Sequence, residues 1–143
     1  MRGWTMNLEA AKSLIAESLG RMTVRYGAPV FDEWVVVSLQ DGHTGILAYN
    51  GPRAESFHRR FAADVVPLRN EMTGKQLAIG DFEFAPDATG THFDACLRTG
   101  PASYLICNHT AKSMTQIRQS PNWLAAQKPF VELSEKIRAD ALE

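Results

Sequence analysis

The side chains most capable of chemistry gather between residues 92 and 109: His92, Asp94, Cys96, Cys107 and His109. Imidazole, thiolate and carboxylate are the ligand types zinc prefers. Whether they act as a set depends on strand pairing. Residues 92–98 alternate, with Phe93, Ala95 and Leu97 opposite His92, Asp94, Cys96 and Arg98, and a second apolar strand from Ser103 to Asn108 follows the turn residues Thr99-Gly100-Pro101-Ala102. A hairpin turning on Gly100-Pro101 sets His92 opposite His109, Asp94 opposite Cys107 and Cys96 opposite Leu105, all on one face. A three-residue turn instead sends Cys107 to the Phe93 face and breaks the set. The pattern contains no closely spaced Cys or His pair. The competing expectation makes both cysteines small core hydrophobes and leaves the histidines at solvent-facing strand ends. No catalytic residue and no cofactor is assigned.

Other candidates are surfaces rather than reactive groups. Phe57, Phe61 and Val65 lie on an apolar stripe that reads either as core or as a dimer interface, with Arg53 and Arg60 beside it as candidate partner contacts. Arg59 and Arg69 join them on the polar side, which reads as a solvated face. Trp34, Phe82 and Tyr104 are the candidate lining of an apolar pocket over a sheet. His43 and His58 read as surface residues, and Trp123 with Phe130 as core. The only Gly-Lys pair, Gly74-Lys75, has Arg69 where a phosphate loop needs its first glycine. No nucleophile elbow, zinc-protease His-Glu-x-x-His, Cys-x-x-Cys or dinucleotide glycine fingerprint is present.

Positioning these residues requires a sheet with covering helices. Asn7 is a good N-cap, and Leu8, Ala11, Leu14, Ile15, Leu19 and Met22 follow at helical spacing, which predicts an amphipathic helix of about 13 residues with Gly20 near its end. Trp34 to Leu39 is a β-branched run, Asp41-Gly42 is a turn signal, and Thr44 to Tyr49 completes a hairpin. Three consecutive valines, Val35 to Val37, predict a first strand covered on both faces. Phe57, Phe61, Val65, Leu68 and Met72 then recur at spacings of 4, 4, 3 and 4, the clearest helical stripe in the chain, with a kink or stop expected near Pro67. Leu77 to Phe84, His92 to Arg98 and Ser103 to Asn108 predict an antiparallel meander. A short helix through Met114 and Ile117, a break at Ser120-Pro121 and a final helix to about Asp140, bent at Pro129, close the chain.

The 143 residues suit one domain, residues 7–143, after a tail at 1–6. A net charge of −1, from 15 basic and 16 acidic residues, leaves no footprint for nucleic acid. No apolar run exceeds four residues, the length of Trp34 to Val37, far short of a membrane span. The N-terminus lacks the apolar segment of a secretory signal, so a cytoplasmic location with both cysteines reduced is expected.

The layout, a central helix between a two-strand and a three-strand segment, combines with the stretches Asp81-Phe82-Glu83-Phe84, Ala95-Cys96-Leu97-Arg98-Thr99-Gly100 and Tyr104-Leu105-Ile106-Cys107. Together they resemble the roadblock/dynein light chain family, as a divergent bacterial-type member, over residues 7–140. Ala28 to Trp34 replaces the family's usual Gly-Val-x-Gly-Ala lead-in to the first strand. The resemblance implies an α+β, profilin-like fold: one five-stranded antiparallel sheet with helices on both faces, in the order α-β-β-α-β-β-β-α. It also implies a non-catalytic homodimer, joined through the central helix and an edge strand, that scaffolds or regulates a protein partner such as a small Ras-like GTPase. The alternative expectation is a small-molecule-sensing domain of the PAS, GAF or profilin type.

Overall fold

The computed structural model describes residues 7–31, 33–40, 43–49, 77–86, 93–109 and 114–141. It is an α+β protein with a single five-stranded antiparallel sheet and helices. Helix α1 (Leu8–Tyr26) begins at Asn7, whose Oδ1 accepts the Ala10 N–H at 2.8 Å. It runs for 19 residues rather than about 13, passing straight through Gly20. An interior glycine costs about 1 kcal/mol, and here the buried stripe of Ile15, Leu19, Met22 and Tyr26 offsets it. The helix ends at Gly27, which adopts φ 94° and donates its N–H to the Thr23 carbonyl at 2.9 Å.

Strands β1 (Glu33–Gln40) and β2 (His43–Tyr49) form the first hairpin, and β3 (Phe82–Pro86), β4 (Phe93–Gly100) and β5 (Ser103–His109) form the meander. Their order across the sheet is β2-β1-β5-β4-β3, so β1 is flanked on both sides and β2 and β3 are the edges among the described strands. Val35, Val36 and Val37 are at most 1% exposed, as a strand covered on both faces requires. Pairing of Val36 with Ala48 but Val37 with Ile46 leaves Leu47 as an extra residue in β2.

Helices α2 (Met114–Arg118) and α3 (Trp123–Ala139) follow, with α3 continuing through the buried Pro129. No helix among the described residues is long and apolar enough to cross a membrane. One face of the sheet, carrying Trp34, Val36, Leu97, Leu105 and Cys107, packs with α1, α3 and Ile117 of α2 into a common core. The two long helices are tied at one end, where Asn122 Nδ2 donates to the Tyr26 carbonyl at 3.0 Å. Arg21 meets Glu132 further along at 3.5 Å, a half-exposed pair worth roughly 0–1 kcal/mol. Packing, not charge, holds this layer.

The lead-in to β3 is a turn that needs its glycine. Gly80 sits at φ 90°, and a Cβ there would lie 2.9 Å from Arg138 Cβ and 3.1 Å from the Ser134 carbonyl oxygen. Around Gly27 the nearest atom to such a Cβ is Asn122 Nδ2 at 4.0 Å. Gly27→Ala therefore bears conformational strain alone, about 1 kcal/mol. Gly80→Ala also forces α3 away and should lose at least about 2 kcal/mol. Urea unfolding of the two variants checks the difference; equal losses would refute the close-approach explanation.

Candidate functional site

The placement of the five candidate metal ligands follows from how the β4–β5 hairpin turns. Gly100 pairs with Ser103 across Pro101-Ala102, but Arg98 pairs with Tyr104, leaving Thr99 bulged out of register. Continued without that bulge, the Gly100–Ser103 pairing would set Cys96 directly opposite Cys107. The shift instead pairs Cys96 with Ile106 and Ala95 with Cys107. The two thiols consequently lie on opposite faces of the sheet, and the single-face arrangement expected from a turn on Gly100-Pro101 is not the one formed. Position 94, paired with Asn108, alternates with Cys96, whereas position 109, paired with Phe93, alternates with Cys107. His92 lies outside the described residues. Both cysteines are at most 1% exposed and neither forms a disulfide.

The physical reason is a polar clamp on the turn. Thr99 Oγ1 and Ser103 Oγ, both buried, share a hydrogen bond of 2.8 Å across the bulge. Arg98 donates from Nη1 to the Leu77 carbonyl at 2.6 Å, from Nε to the Gly100 carbonyl at 3.2 Å and from Nη2 to the Pro101 carbonyl at 3.0 Å. Its backbone N–H donates to Asp81 O at 3.0 Å, and its own carbonyl accepts from Gly80 N–H at 2.8 Å. One guanidinium thus joins the turn of one hairpin to the segment leading into β3. Asp81 completes the junction by accepting the Ala78 N–H at 3.1 Å and pairing with Arg138 at 3.3 Å. With a carbonyl acceptor at each of its three nitrogens, Arg98 is positioned for scaffolding. Its sequence signal was the Leu97-Arg98-Thr99-Gly100 rhythm, which by itself does not say which carbonyls the arginine reaches.

The pocket candidates separate in the same way. Trp34 and Phe82 belong to the helix-covered face, while Tyr104, paired with Val37 and Arg98, alternates onto the other. They do not line one pocket. Around Phe82 the space is filled by rings: Phe82 to Phe130 at 5.1 Å, Phe84 to Phe130 at 5.2 Å and Phe84 to Trp123 at 5.3 Å between centroids. These tilted and edge-on contacts make Trp123 and Phe130 core residues. The interface candidates Arg53, Phe57, Arg60, Phe61 and Val65, and His58 with them, lie outside the described residues. What sequence reasoning missed is on β2, where Leu47 and Tyr49 are exposed, 38% and 37%, on an edge strand. Leu47 could not be singled out because its exposure accompanies a bulge.

No family model matches the sequence, and no curated protein or solved structure matches the chain.

Two outcomes follow from the hairpin. Arg98→Lys retains the charge but cannot reach three carbonyls in a fork, so it should lower stability by about 2 kcal/mol in urea unfolding; wild-type stability would dismiss the clamp. Thiol titration of the native protein should find essentially no reactive cysteine until denaturant exposes both. A disulfide formed between Cys96 and Cys107 by mild oxidation of the folded chain would contradict the opposite-face register.

Proposed function

We propose that this chain is a non-catalytic, homodimeric protein-interaction or scaffold module of roadblock type, acting on a protein partner, with a small Ras-like GTPase as the first partner class to test. The observation that carries the reading is the edge strand β2. An edge strand presents unpaired backbone donors and acceptors to another chain, and β2 adds two exposed apolar side chains, Leu47 and Tyr49. The resemblance calls for joining through an edge strand, and β2 offers one. In this reading the chain follows the order α-β-β-α-β-β-β-α, its last α being the interrupted helical segment that α2 and α3 form, with helices on both faces of the sheet in a profilin-like fold. The sensing-domain alternative draws no support from Trp34, Phe82 and Tyr104, because those side chains are divided between two faces.

Light scattering coupled to size exclusion tests the assembly directly. The wild-type chain should elute with a dimeric mass at tens of micromolar. Leu47→Glu combined with Tyr49→Lys should lower the mass to that of a monomer while leaving the thermal midpoint of the monomer nearly unchanged. A wild-type chain that stays monomeric at high micromolar concentration rejects the reading.

A further inference from the structure

The charges of the helical layer are unevenly spread along its length. Asn122, just before α3, meets Tyr26 at the end of α1, and Arg21 reaches Glu132 further into α3, so the two helices run antiparallel and the end of one lies beside the start of the other. The half of the layer at this junction, residues 20–26 with 123–132, carries Arg21, Arg25 and Lys128 against one carboxylate, Glu132, which Arg21 already engages. The other half, residues 8–19 with 133–139, holds three basic and three acidic residues. Arg118 of α2, four residues before Asn122, adds a further cation near the junction. Arg25, Arg118 and Lys128 are exposed, and none of the three forms an ion pair.

The same half carries the two most exposed large apolar side chains among the described residues, Val24 at 82% and Leu124 at 76%. Val24 precedes Tyr26 by two residues and Leu124 follows Asn122 by two, so both flank the hydrogen bond that joins the helices. Leu124, Lys128 and Val131 follow one another at spacings of 4 and 3, which sets them in one line along α3, and all three are exposed. A single exposed leucine is ordinary. Apolar side chains alternating with an unpaired cation along one helix, beside another of each on its neighbour, make a surface with a defined complement.

We propose that this outer face of α1 and α3 is a docking surface for an acidic amphipathic helix of a protein partner, whose apolar side chains meet Val24, Leu124 and Val131 and whose carboxylates meet Arg25 and Lys128. Two packed antiparallel helices present a groove in which a third helix can lie. The partner's carboxylates supply the ion pairs these cations lack, and complementary charge fixes the register of docking. The net charge of −1 over the whole chain gives no long-range attraction for nucleic acid or an anionic membrane, so the local complementarity favours a protein segment. The inference rests on the proposed reading in taking the partner to be a protein, and it leaves β2 free for self-association.

Fluorescence anisotropy with a labelled synthetic peptide tests the surface. The probe is a helix of about 18 residues with leucines on one face and glutamates on the other. The wild-type chain should bind it, and should bind the counterpart with lysine at every glutamate at least about tenfold more weakly. Leu124→Glu combined with Lys128→Glu should weaken binding of the acidic peptide at least about tenfold, with the thermal midpoint nearly unchanged because both positions are exposed. Leu47→Glu with Tyr49→Lys should bind the peptide as the wild type does, so failure of this surface and failure of the dimer are read separately. No binding of the acidic peptide, equal binding of the two peptides, or full affinity in the Leu124 and Lys128 variant would overturn the proposal. Association with phosphatidylserine vesicles that the same variant loses, without peptide binding, would assign the face to a membrane and overturn it as well.

Discussion

The bulge at Thr99 is the constraint on which most of this molecule depends. A strand's side chains alternate faces, so moving the pairing by one residue exchanges every inward group for an outward one. With the bulge in place, Leu97, Leu105 and Cys107 look toward α1 and α3 while Cys96, Tyr104 and Ile106 look away. The bulge is held by groups with few alternatives: a buried Thr99–Ser103 hydroxyl pair and the Arg98 guanidinium, which reaches three carbonyls from two parts of the chain. Buried hydroxyls that lost each other would each forfeit a hydrogen bond without regaining water.

The same junction fastens the sheet to its helical layer. Arg98 binds the turn before β3, and Gly80 within that turn lies against Arg138 and Ser134 of α3. Arg138 donates to the Gly80 carbonyl at 3.1 Å as well as pairing with Asp81. The half-exposed ion pair contributes little by itself. Its geometry instead keeps α3 close enough for Phe130 to meet Phe82 and Phe84, rings that fill the space beneath the β3 edge. Local polar satisfaction and aromatic packing therefore act at one corner, and neither could be moved without the other.

Much of the architecture was legible because periodicity reports burial. Three successive valines indicated a doubly covered strand, and β1 is one; alternation around Phe82 and Phe84 indicated a face, and both rings join the same core. Helix α1 was underestimated since a glycine looks like a terminus from its neighbours alone. Gly20 is tolerated where a buried stripe continues on either side, whereas Gly27 ends the helix through its left-handed backbone. The candidate site was less legible. Spacing can enumerate possible partners of Cys96 and Cys107, but one residue of bulge decides between them, and a bulge of this kind has no local signature beyond an unremarkable threonine.

By itself, then, the sequence determined the class of structure and the sites of its elements: a helix after Asn7, a hairpin around the valine run, a three-strand meander and a C-terminal helix. These are consequences of side-chain type and spacing, which act over a few neighbours. Only the tertiary structure decided the order of the strands, the parity of the last hairpin, the separation of the two thiols and the division of Trp34 and Phe82 from Tyr104. Those depend on hydrogen bonds between residues far apart in the chain, such as Arg98 to Leu77 and Arg138 to Gly80. Such bonds form only once the sheet has assembled, and no local pattern encodes where they close.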